Sequence, residues 1–203
     1  MIMTIQAPDE ASFEEFVNKN KQVIVDFFTK AEMNRQINLL KKEYSSVIAT
    51  KVGSIFGCDL RIPAGFERYK QGKDFLWTSQ DRPGSEVSLN FVVYSYPYTD
   101  KNTFTRDFFI HKRDSVMKLN IPGSLEGQYM ATDTNYVDVK ECSVKGEYAF
   151  EARGLWYMEN DMMGGPFVSH ARVDRPNGRV VVVEAFVYAP KDKKRDMMRQ
   201  LEA

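Results

Sequence analysis

The chain has 203 residues, 43% of them apolar and 13% aromatic, with 28 basic and 28 acidic side chains and a net charge of zero. That balance excludes a disordered tail, which needs low hydrophobicity and unbalanced charge. It also excludes a nucleic-acid wrapper held by bulk positive charge, and no apolar run has the length needed to cross a bilayer.

In chain order, Met1–Gln6 reads as a strand, without the basic stretch, apolar core and cleavage site of a signal peptide. Ser12 and Glu15 have capping-box spacing, and Phe13, Phe16, Val17, Ile24, Phe27 and Phe28 follow on one helical stripe. Met33, Ile37, Leu40, Tyr44 and Val47 predict a second helix docked on a sheet, since two heptads are too few for a coiled coil. Ile62–Phe66 reads as a strand ending in a turn, then Phe75–Thr78 and Val87–Tyr96 as strands rich in β-branched and aromatic residues. Asn102 or Thr103 caps a helix that runs to about Leu119. Tyr129–Thr132, Tyr136–Val144, Glu147–Met158, Pro166–Asp174 and Arg179–Tyr188 read as five strands. Asn177-Gly178 between the last two predicts a hairpin turn with positive φ angles, and Pro190 opens a terminal helix.

This order predicts an α+β fold with a mostly antiparallel, curved sheet packed by helices. It reads as a single domain over residues 1–203, with a strand plus helices in 1–56 and a sheet-rich core with a terminal helix in 57–203. The C-terminus stops inside a helix pattern at Arg199–Ala203. Both ends read as cut, which predicts a fragment of a longer chain or a trimmed mature chain.

No phosphate loop, dinucleotide fingerprint, nucleophile elbow or HExxH helix is present. Cys58 and Cys142 lie far apart, outside any CxxC pair, and His111 and His170 are the only histidines. That is poor material for a clustered zinc site, so no metal and no cofactor are expected. The cysteines are either a disulfide of an exported chain or, as is commoner, buried free thiols. His111 shares a helix face with Phe104 and Phe108, as a half-buried histidine or a group at a pocket edge.

Strand alternation places His170 and Arg172 on one face, and neighbouring strands offer Glu151 with Arg153, and Glu184. Paired in register, these five form either a polar groove for an anionic or sugar-like ligand or a solvated face of cross-strand ion pairs. A one-residue slip would dissolve the cluster. The Met158–Pro166 stretch reads as a methionine loop, a flexible lip or a loop folded on the core. Lys191–Arg195 is diluted by Asp192, and the aromatic strand Phe91–Tyr98 carries no Lys or Arg, so nucleic acid is not an expected partner.

Gln6-Ala-Pro-Asp9, Phe13-Glu-Glu-Phe16, Tyr94–Phe104, Lys145–Trp156 and Gly164–Arg172 carry a family likeness. Over essentially the whole chain, the sequence resembles the domain-of-unknown-function family 4837, described as lipoproteins of gut Gram-negative bacteria. The resemblance implies a longer, exported chain whose N-terminus carries a lipoprotein signal, and a place in the periplasm or cell envelope through a lipid anchor. This chain shows no lipidation cysteine, since both cysteines are internal. The family brings no activity and no catalytic residues. Ile62-Pro63-x-Gly65-Phe66 and Val144-Lys-Gly146, with the elements after them, also resemble the PsbP-like α/β/α sandwich, whose members are mostly non-enzymatic binding subunits.

The leading expectation is therefore a non-enzymatic envelope domain that binds a small ligand or an envelope protein. The alternative is an envelope hydrolase acting on a glycan or peptidoglycan fragment through His170 with Glu151 or Glu184. A purely structural assembly subunit is the third possibility.

Overall fold

The fold is described from a computed structural model, which covers residues 1–144 and 146–202. Lys145 and Ala203 lie outside the described residues, and with them the last residue of the expected terminal helix. The chain resolves into two compact units, Met1–Glu43 and Tyr44–Glu202.

The first unit holds α1 (Glu10–Lys19) and α2 (Lys21–Leu40). Met1–Gln6 forms no strand, contrary to its pattern. The cap of α1 is Asp9, not Ser12. The Asp9 carboxylate accepts the Ser12 N–H at 2.7 Å, which satisfies one of the free donors of the first turn. Asn20 ends α1 by donating its side-chain amide to the Phe16 carbonyl. No side chain of α1 or α2 is buried, and Phe13, Phe16, Phe27, Phe28 and Met33 are exposed. The Met33–Val47 seam is not one helix. Turn residues follow α2, Tyr44 bridges to Pro63, and Val47 belongs to α3.

The second unit opens with α3 (Ser46–Phe56). Ser45 caps it and also donates its hydroxyl to the Phe66 carbonyl at 2.9 Å. Ile48, Val52 and Phe56 recur every four residues as its buried stripe. Ile62–Phe66 is an isolated bridge and a turn, not a strand. The strands are β1 (Arg68–Gln71), β2 (Phe75–Asp81), β3 (Ser88–Pro97), β4 (Met130–Val144), β5 (Glu147–Met158), β6 (Gly164–Asp174) and β7 (Arg179–Tyr188). They form one antiparallel sheet in the order β1-β2-β3-β7-β6-β5-β4. α4 (Arg106–Asn120) carries the chain from β3 to the far edge at β4, and a meander returns β7 to the centre against β3. α5 (Lys194–Leu201) closes the unit; it begins four residues after Pro190, beyond a turn.

The curved antiparallel α+β arrangement read from the sequence is the observed one. Helices cover both faces. α4 packs its Phe109, Ile110 and Met117 on a face built from Tyr94, Phe150, Trp156, Phe167, Val182 and Phe186. α3 and α5 pack on the other, over Leu76, Leu89, Phe91, Val93, Val168, Ala185 and Val187. β3 is buried on both faces, which is why it reads as a continuous apolar run with no alternation.

Two local features shape the site. The two strands expected at 129–132 and 136–144 are one strand, β4, interrupted by a bulge. Asp133 pairs with Leu155 and Asp138 with Arg153, so Thr134–Val137 arch opposite the single residue Gly154. Arg106 at the start of α4 pins that arch by donating to the carbonyls of Thr134 and Val137. In the β6–β7 connection, Arg175–Asn177 form a short 3-10 turn, and only Gly178 has positive φ (60°), so this is not a turn with two positive-φ residues.

Candidate functional site

The β6–β7 loop closes on an Asp174–Arg179 pair, so even-numbered residues of β6 face odd-numbered residues of β7. His170 therefore sits beside Val183, while Glu184 sits beside Ser169 on the other face. The expected five-residue cluster is split: Glu151, Arg153, His170 and Arg172 share one face, and Glu184 leaves it.

On the first face, Glu151 pairs in register with Lys140 on β4 and with His170 on β6. Its carboxylate is almost fully buried and accepts from Arg153 Nε at 2.6 Å and Lys140 Nζ at 2.9 Å, both on Oε1. Oε2 faces His170 Nε2 at 3.0 Å. Arg153 also donates to Glu202 at the end of α5 at 2.6 Å. Burial pushes the Glu151 carboxyl up, but hydrogen bonds from Arg153 and Lys140 overcome it and hold the group at about 2. Arg172 is half-buried on the same face. Cys142 lies two residues along β4 from Lys140, and it and Cys58 are free thiols, partly exposed.

On the opposite face Glu184 meets a residue that the sequence reading passed over. Arg113 of α4 and Glu184 have completely buried side chains and form a forked ion pair. Arg113 Nε donates to both carboxylate oxygens at 3.1 and 2.9 Å, and Nη2 donates to Oε1 at 2.7 Å. Ser169 donates to Glu184 Oε2 at 2.5 Å, and Arg113 Nη1 donates to the Thr132 hydroxyl at 2.8 Å. Thr132 in turn donates to Asp114 at 2.5 Å. The Arg113 guanidinium stacks on Phe167, 4.1 Å from the ring centre. The missed signal was an arginine within an apolar stripe: Phe109, Ile110, Arg113 and Met117 share the buried face of α4.

Tyr94 lies over the same network. Burial first, and then the Glu184 charge, push its phenol well above 10. Its hydroxyl is buried without a hydrogen-bond partner among the described residues. Tyr94→Phe is therefore expected to hold or raise stability, by about 1 kcal/mol, because an unsatisfied group is removed. Urea unfolding checks this, and a clear loss would reveal a partner for the hydroxyl.

The chain Ser169–Glu184–Arg113–Thr132–Asp114 ends at a surface cleft of about 630 Å³. Its walls are α4 (Arg106, Asp107, Ile110, His111, Asp114, Ser115, Lys118), Tyr129 just before β4, Ala131 and Thr134 of β4, and Tyr157 near the end of β5. Burial raises the Asp114 carboxyl above its usual range despite the Thr132 hydroxyl and the Arg113 charge. Arg106 is held by the β4 arch and by Asp107, whereas His111 and Lys118 are exposed. The Lys118 ammonium lies 4.2 Å from the centre of the Tyr129 ring. His111 is thus at a pocket edge, exposed and not half-buried as the helix pattern favoured.

A family model described as a domain of unknown function (DUF4837) matches residues 45–203. The chain belongs to that family. The matched region begins at the cap of α3, next to the boundary of the second compact unit, so both polar clusters and the cleft lie inside the DUF4837 region. Among curated proteins no match is found.

The methionine loop of this DUF4837 region does two things. Met158 is buried and Met163 packs on the core, while Met162 is fully exposed. Gly164-Gly165, expected in the loop, are the first residues of β6.

Proposed function

We propose that this is the ligand-binding domain of an exported, lipid-anchored envelope protein that holds a small ligand without turning it over. The observation that carries this reading is the α4 cleft, fixed from behind by a buried ion-pair network and open to solvent at its charged rim. Its chemistry fits a glycan fragment that carries carboxylates. The Tyr129 and Tyr157 rings offer flat apolar surface, Lys118 and His111 offer positive donors, and Asp107, Asp114 and Ser115 can accept from or bridge hydroxyls.

The hydrolase reading rests on the His170–Glu151 contact. A carboxyl held at about 2 is a weak base at neutral pH, and its two oxygens are already occupied by Lys140, Arg153 and His170. That arrangement favours a structural ion cluster over acid–base work.

The probe is the set of disaccharide–peptide units released from peptidoglycan by a muramidase. Calorimetry is expected to detect binding, weakened roughly tenfold by His111→Ala or Lys118→Ala, as loss of about 1.4 kcal/mol per contact implies. Chromatography of the same mixture is expected to return the units unchanged. Binding indifferent to both substitutions removes the cleft, and cleavage of the units removes the non-enzymatic reading. For localisation, the full-length protein is expected in the detergent-soluble membrane fraction of its host.

A further inference from the structure

Three adjacent strands bring Cys142 (β4), Glu151 (β5) and His170 (β6) to one face, with their donor atoms all within 4.8 Å of one another. We propose that these three side chains form a site for a borderline divalent cation such as Zn²⁺. The donor set of thiolate, carboxylate and imidazole is one that zinc accepts, and three protein ligands leave the fourth tetrahedral position to water. In such a site donors stand roughly 3.3–3.8 Å apart, as ligand distances of about 2.0–2.3 Å require. The donor atoms, within 4.8 Å of one another, lie up to about 1 Å outside that spacing.

The carboxylate is already divided in the right way. Arg153 and Lys140 occupy Oε1, and Oε2 points at His170 Nε2, 3.0 Å away. The cation replaces only that last contact. Arg153 and Lys140 then act as the outer partners that fix the carboxylate, a role that metal sites commonly need. Cys142 and His170 are partly exposed, which gives the ion a way in, whereas Glu151 is buried. When the sulfur–metal bond forms, the thiol proton leaves to solvent. Thiolate and carboxylate then bring two negative charges to the ion, and Glu202 offsets one of the two cations, Arg153 and Lys140, that share Glu151.

Cobalt(II) reports directly on sulfur ligation. Addition of Co²⁺ to the purified chain is expected to give a sulfur-to-cobalt charge-transfer band, which Zn²⁺ bleaches. Cys142→Ser should abolish the band, and His170→Ala should weaken binding at least ~100-fold, beyond the usual 10–100-fold loss of an outer partner. Cys58→Ser should leave both unchanged. Both tested ligands are partly exposed, and circular dichroism establishes that the variants fold. The proposal is overturned if no band appears, if it persists in Cys142→Ser, or if Cys58→Ser removes it.

Discussion

Arg113→Ala is expected to lower stability by about 3–5 kcal/mol, the cost of leaving one member of a buried ion pair unpaired. Glu184 has no exposed surface, and Ser169 would be its remaining hydrogen-bond partner among the described residues. The variant also loses the stack on Phe167 and the hydrogen bond that sets Thr132 against Asp114. The double replacement Arg113→Met with Glu184→Leu is expected to recover most of the loss, because it removes both charges and refills the volume. Urea unfolding of the three proteins checks this. A single-variant loss under about 1 kcal/mol, the range of exposed pairs, would mean that water reaches the pair.

Gly165→Ala is expected to cost about 3 kcal/mol or more, in the tail of point substitutions reached only by a named steric conflict. A Cβ on Gly165 would stand 2.0 Å from the Val187 carbonyl oxygen and 3.2 Å from Trp156 Nε1. The first obstacle is backbone of a central strand and cannot rotate away. Gly72→Ala is the matched control, since its nearest neighbour is at 3.8 Å, an ordinary contact. It is expected to stay within about 1 kcal/mol of the parent. Equal midpoints in urea for the two variants would mean that the start of β6 shifts freely.

The sheet was legible wherever local pattern decides structure. Glu147–Met158 and Arg179–Tyr188 are the observed β5 and β7, and β3 differs by one residue at each end. These strands have long β-branched and aromatic runs between clear turn residues. Pairing parity was not legible. Whether Glu184 joins His170 depends on the number of residues in the Asp174–Arg179 loop that stay out of the ladder, and one residue reverses the face. The β4 bulge was hidden for a similar reason: Asp133–Asn135 read as a break, while Arg106, far away in sequence, holds the arch in place. Arg113 was hidden by its charge, since a lone arginine on a charged helix looks solvated until its partner on another element is known.

The most direct test of the cleft is an amide chemical-shift titration of the chain with the muramidase-released disaccharide–peptide units. The expected result is a saturable set of shifts confined to the cleft walls, at Ile110, His111, Ser115, Ala131 and Tyr157. Saturable shifts on the His170 face with the cleft unmoved, or no shifts at all, would contradict it.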